Sequence, residues 1–342
     1  MIDGPLHGIP VSRGSGGNVN SYDSIETHRR MIADSVRTGA FHRSISAVVK
    51  PGDVVLDVGA GTGILSLFAA QAGAARVYAI ERAAGAAHLA RMLIAANGVA
   101  DRVHVIEGDA DTLWAAEAVD VIVSEWLGVY AVDENMLAPV LTARDRWLKP
   151  GGTMIPGATT VWLAPVYNAA GEEAAAFHAP TFGVDLSMLA PYNLNEVVWL
   201  PNGASPADVR GEAQRLWTSE PATMSPRRAR MPFVGEVDFV LDGPANGLVI
   251  WFSAEMPGTD ALSTEPGVTT HWGNFLFPIS CAGNAVAADH LHVRFQCTPT
   301  PVGGSEHAWS ARLGDGPVEV HDTRRHRRHP ATPPWRTTLV TS

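Results

Sequence analysis

Cysteine is nearly absent, with only Cys281 and Cys297 in 342 residues. Their separation fits neither a zinc-ligand spacing nor a disulfide framework, so each is expected to be a small buried hydrophobe, and no metal site is expected. No apolar run approaches the roughly 18 residues of a membrane span. Residues 1–20 are rich in Gly and Ser and lack the apolar core of a secretory signal, which makes them a candidate flexible leader. A soluble, cytoplasmic protein with no membrane partner is the expectation. Basic residues are the minority, 25 Lys and Arg against 35 Asp and Glu, for a formal net charge of −10. That balance argues against nucleic acid as a partner and favours cations.

What is present divides the chain in two. From Tyr22 to Ile45 apolar positions recur at helical spacing, as expected for an amphipathic cover. Val54–Asp57 then reads as a buried strand, followed by Gly59, Gly61 and Gly63 and the start of a helix. Strand, glycine turn and helix make a nucleotide-binding opening, because glycine lets a ligand approach the backbone closely. The dinucleotide pattern needs its third glycine at position 64, where Ile64 stands. Asp57, just before the turn, places an acid where a pyrophosphate is disfavoured but a sulfonium and an amino group are tolerated. S-adenosylmethionine is therefore preferred over NAD as the cofactor. A second strand ends in Glu81, about 20 residues beyond the turn, where an acid accepts ribose hydroxyls. A third is followed by Asp111, which can accept an adenine amino group.

The fourth strand, Val119–Val123, leads into Ser124–Glu134, which carries two carboxylates, Glu125 and Glu134. Loops at the carboxyl ends of parallel strands are where open α/β sheets place their sites. Two acids there suit a planar cation such as a guanidinium, which pairs with carboxylates bidentately. A helix cap for Glu125 and a solvated charge for Glu134 are the structural competitors. From Thr159 onward, short alternating runs between Gly/Pro turns predict an all-β region, barrel or sandwich. Thr269–Trp272 forms a polar-aromatic corner, and the Arg/His-dense stretch His321–His329 reads as a solvated strand or terminus.

At these residues the chain resembles the protein arginine methyltransferase family. The likeness rests on Val-Leu-Asp-Val-Gly-Ala-Gly-Thr-Gly-Ile-Leu at 55–65 and on Ser-Glu-Trp-Leu-Gly through Glu-Asn-Met-Leu at 124–137. Ala-Arg-Asp-Arg-Trp-Leu at 143–148, Leu-Ser-Thr-Glu-Pro at 262–266 and Thr-His-Trp at 270–272 extend it. The resemblance implies a Rossmann-like, seven-stranded cofactor domain with a helical cover over 21–157. A β-barrel substrate domain would follow over 158–342, with an inserted dimerisation arm at about 168–205 and hence a homodimer. It implies that Arg37 holds the cofactor carboxylate, with Glu81 and Asp111 on the ribose and adenine. It further implies that Glu125 and Glu134 clamp the substrate, that His271 pairs with Asp34, and that Tyr22, Met31, Met136 and Trp272 line the acceptor side. The composition, rich in Ala, Gly, Pro and Arg, points to a bacterial member.

Departures fall on the acceptor side. Asn18 and Val19 replace a Tyr-Phe pair, and Val129 and Asp133 replace aromatic residues. Asp133 could attract the α-ammonium of a free amino acid, or merely cap the next helix. Three readings follow: methylation of arginine in a protein or peptide, methylation of free arginine or another small guanidine, and a non-catalytic cofactor-binding scaffold.

Overall fold

The computed structural model describes residues 24–113, 117–176, 182–301 and 303–324. The leader, Tyr22 and the chain beyond Arg324 lie outside them. The predicted amphipathic cover is two helices, α1 (Ile25–Ala33) and α2 (Ser35–Val48). They break at Asp34, whose extended backbone frees its carboxylate to accept from the Arg37 N–H and cap α2.

A five-stranded parallel sheet follows, in the order β3-β2-β1-β4-β5. Its strands are β1 (Val54–Val58), β2 (Arg76–Glu81), β3 (Val103–Glu107), β4 (Val119–Val123) and β5 (Leu148–Ile155). Helices α3 (Ile64–Gln71), α4 (Ala84–Ala96) and α5 (Leu137–Trp147) connect them. Every residue of β1 is buried, as a strand covered on both faces requires. The order reverses between β1 and β4, so the carboxyl ends of those two strands frame a crevice. Among the described residues the parallel sheet has five strands where the resemblance implies seven. After Pro156 and Gly157 the chain leaves the sheet, and β6 (Thr159–Val166) pairs antiparallel with β10 (Gly247–Ala254) instead.

The remainder is antiparallel. Beside β6 and β10, one sheet takes in β7 (Val198–Leu200), β8 (Gln214–Ser219), β11 (Leu262–Ser263) and β12 (Asn274–Pro278). The other orders β15-β14-β13-β9, from Glu319–Asp322, Ser305–Leu313, His290–Pro299 and Phe233–Val240. β8 lies beside β9 and joins the two sheets. Within 168–205 are α6 (Ala169–Ala176), α7 (Ala190–Asn193) and β7. The short helix α8 (Pro226–Ala229) packs on α5. One apolar core runs from α2 and the parallel sheet through Trp126 and Trp272 into β9, β13 and β14, so both halves share a buried interior. His321 departs from the solvated expectation: it is buried and stacks on Trp309, with ring centroids 4.9 Å apart. Both cysteines are free, Cys297 fully buried.

Candidate active site

The crevice beyond β1 and β4 opens into a cleft of about 670 Å³. Into it come Met31, Arg37, Gly59, Gly61, Glu81, Asp111, Glu125, Glu134, Met136, His271 and Trp272, all expected from sequence. The glycine turn explains itself locally. Gly59, Gly61 and Gly63 have φ of 73°, 56° and 80°, a region that side chains resist. A Cβ on Gly61 would lie 3.1 Å from the His28 ring, which closes over the turn. Gly63 starts α3 and packs against Ala90 behind the cleft wall. Glu81 accepts from the Gly61 N–H at 2.8 Å and from the Ala83 N–H at 2.7 Å. Each oxygen thus keeps a lone pair to offer a ligand.

Asp57 is not at the cleft. It is wholly buried under the turn, one oxygen accepting from the Ser66 hydroxyl at 2.6 Å and the other without a hydrogen bond. Burial pushes its carboxyl up to about 7; the Ser66 hydroxyl opposes the rise and nearby Glu81 adds to it. Asp111 lines the cleft but faces Arg230, just past α8, whose Nη2 is 3.3 Å from Oδ2. No sequence signal marked Arg230 or His28.

On the acceptor side Glu125 is fixed from both oxygens. Its Oε2 accepts from Nε and Nη2 of Arg37 at 3.1 and 2.8 Å, and its Oε1 from the Leu127 N–H at 2.9 Å. Arg37, expected at the cofactor carboxylate, is therefore engaged by Glu125, one of the two glutamates expected to clamp the substrate. A carboxylate offers about four lone-pair positions, so Oε1, with one donor, keeps a position for a ligand. The expected Asp34–His271 pair forms: Nδ1 lies 2.8 Å from Oδ2, which also accepts from the His271 N–H. Burial alone would raise the Asp34 carboxyl, but bonds from the His271 ring and from the Arg37 and His271 N–H groups bring it below its ordinary value. Trp272 is buried and its indole N–H donates to the Leu127 carbonyl at 2.9 Å, so it anchors the glutamate loop as well as lining the cleft.

Asp133 contradicts the expectation that it meets an α-ammonium. It is buried, folds back into the loop, and accepts from the N–H groups of Val129 and Tyr130 at 3.2 and 3.0 Å. Burial raises it to about 6 against those bonds. Gly128 makes the room, since a Cβ there would lie 2.3 Å from Asp133 Oδ1. The next residue, Glu134, reaches the cleft.

The chain is similar to known proteins in sequence and in fold. Residues 55–152 match a family profile described as "Methyltransferase domain". "Protein arginine N-methyltransferase 6" of Xenopus laevis is 37% identical over 264 residues, spanning 73% of this chain and 77% of its own. "Protein arginine N-methyltransferase PRMT10" of Oryza sativa subsp. japonica is 34% identical over 314 residues, 80% of this chain and 81% of its own. Among solved structures, Arabidopsis thaliana Protein Arginine Methyltransferase 10 superposes with a TM-score of 0.76 at 27% identity, covering 89% of this chain and 99% of that one. The Trypanosoma brucei PRMT1 enzyme-prozyme heterotetrameric complex with AdoHcy gives 0.80 at 25%, covering 89% and 100%. A glycine turn over Glu81, two glutamates at one cleft and a His–Asp pair beside them are thus accompanied by relatives matched over about three quarters or more of their length, and the chain belongs to the protein arginine N-methyltransferase family.

Proposed function

We propose that the chain transfers a methyl group from S-adenosylmethionine to a guanidino nitrogen of arginine in a protein or peptide. The observation that carries this reading is the pair Glu125 and Glu134, brought to one cleft with Glu81 and the glycine turn. The cofactor half fits the sulfonium compound: Glu81, Asp109 and Asp111 line it, a set that repels a pyrophosphate and tolerates a cation. Once bound there, S-adenosylmethionine supplies the electrophilic methyl.

The chain's own residues prepare the acceptor. A guanidinium is planar, delocalised and effectively always charged, hence a poor nucleophile. Glu125, immobilised by Arg37 and Leu127, and Glu134 draw its charge toward the nitrogens they hold and leave the remaining nitrogen richer in electrons. Fixing two reactants in attack geometry removes about 7–11 kcal/mol of barrier. Glu134 is the first proton acceptor to consider. His271, oriented by Asp34 through Nδ1, is the second.

The free-arginine reading is not favoured. Its chief support was Asp133, which is spent inside the loop. The scaffold reading is weakened because each acid the chemistry needs is in place. Incubating the protein with labelled S-adenosylmethionine and either an Arg-Gly-rich peptide or free L-arginine tests the assignment. Label in the peptide is expected, and label in free arginine alone would overturn the protein-acceptor assignment.

We also propose that the segment 168–205 is a dimerisation arm. Phe182, Val184, Met188 and Leu189 are exposed on it, and Ile25, Ile32, Met92 and Leu93 border an apolar groove on the outer face of α1 and α4. Exposed apolar patches of this kind mark contact surfaces, and two mutual contacts close a two-fold dimer. Met188→Asp is expected to lower the mass seen by light scattering. An active wild-type monomer at micromolar concentration would overturn the dimer.

A further inference from the structure

The short turn between Glu125 and Glu134 is strained. Ala131 has φ 74° and ψ −68°, and the Val132 N–H bonds the Tyr130 carbonyl at 3.0 Å across it. This is a γ-turn of the rare positive-φ kind, and such backbone persists only where its surroundings over-determine it. Glu134 follows almost at once, and Asn135 after it is again at positive φ, 60°.

The surroundings hold the turn from two sides. From within, Asp133 takes the N–H groups of Val129 and Tyr130. From the antiparallel half, Tyr130 is seized by its hydroxyl: Oη meets Nε2 of His307 on β14 at 2.6 Å. Both residues are buried, and the Tyr130 ring packs edge-on to Phe275 and Phe295. Burial depresses the His307 imidazole to about 4, so at neutral pH it is uncharged and has a bare nitrogen for a hydroxyl to reach. Packing alone needs only the ring. The hydroxyl adds a direction, and with it a fixed distance between β14 and the loop.

Resting on the proposed clamp, we infer that Tyr130 and His307 are positioning residues for the transfer: their hydrogen bond holds the turn at Ala131, and thereby aims Glu134 at the acceptor. A misaimed clamp harms the transition state more than cofactor binding, so the effect falls on turnover.

Tyr130→Phe keeps the ring and removes the bond. It is expected to lower kcat on an arginine peptide by about ten- to a hundredfold while leaving S-adenosylmethionine affinity at the wild-type value. His307→Phe should match it, and the double variant should lose little more, because the two act as one unit. Ala131→Gly separates aim from stability. Glycine takes the positive φ without strain, so Tm should hold or rise while kcat falls. Wild-type kcat in Tyr130→Phe at saturating cofactor, or kcat losses that merely follow Tm through all these variants, overturns the inference alone. A wild type that cannot methylate the peptide overturns the clamp reading and this inference with it.

Discussion

The two ends of the cleft are held by different means. At the glycine turn of the cofactor end the contacts are local: Glu81 bonds the Gly61 N–H across 20 residues, and Ser66 reaches Asp57 across 9, whereas Asp111 on the rim faces Arg230 across 119. At the acceptor end they cross the molecule. Asp34 and His271 are 237 residues apart, Tyr130 and His307 are separated by 177, and Asn135 meets the Thr300 carbonyl across 165. A strand–turn–helix unit forms the first end from its own backbone preferences. The second exists only when the helical cover, the parallel sheet and the antiparallel half are all docked. Damage at the first end should therefore appear in cofactor affinity, and damage at the second in turnover.

The largest effect is expected at the clamp. Glu134→Gln keeps shape and removes charge. Breaking a desolvated ion pair costs about 3–5 kcal/mol, which corresponds to turnover lower by roughly two to four powers of ten. Cofactor affinity by calorimetry should be unchanged, and a variant with near wild-type kcat would sink the clamp. Glu81→Ala should show the reverse pattern. Polar groups left unpaired cost about 1–3 kcal/mol, so the S-adenosylmethionine Kd should rise by roughly five- to a hundredfold, with kcat recovered at saturation. If kcat stays low at saturation, the division between the ends is wrong. Asp34→Asn removes the charged partner of His271 and should lower both Tm and kcat with little change in Kd, since the pair ties α1 and α2 to the antiparallel half.

The same division governs what could be read from the residues. The glycine turn, Glu81 and the β4 loop were legible because their physics is short-range, a buried strand followed by a turn that only glycine fits. The Asp34–His271 pair was legible only through family resemblance, as no spacing predicts a bond over 237 residues. Asp133 was misread. Its surroundings depend on Gly128 giving room and on the N–H groups of Val129 and Tyr130 needing an acceptor inside a folded loop. The strand count of seven came from the family resemblance and from no pattern in the residues; among the described residues the parallel sheet has five strands, and β6 falls in the all-β region, as expected from Thr159 onward. Arg230 and the Tyr130–His307 bond follow from docking two halves, and nothing in either segment announces them.

The smallest effect lies under the turn, and it tests how local the cofactor end is. Asp57 titrates near 7 in the folded chain against about 3.8 for an ordinary aspartate. Between those values the folded state holds the proton more firmly than the unfolded one. The group's contribution to stability is thus complete below about pH 4 and lost as pH rises through 7. The slope is at most about 1.4 kcal/mol per pH unit. Asp57→Asn is neutral throughout and its amide oxygen still accepts from Ser66, so its unfolding midpoint in urea should fall less between pH 5.5 and 8 than that of the wild type. Asp133, raised to about 6, contributes a slope of the same sign. It is present in both proteins and cancels in the difference. Because Asp57 does not face the cleft, Asp57→Asn should bind S-adenosylmethionine within about twofold of wild type. Parallel stability profiles would mean that Asp57 is ionised where it is buried. A large loss of affinity would mean that the floor of the turn, as well as its rim, shapes the cofactor end.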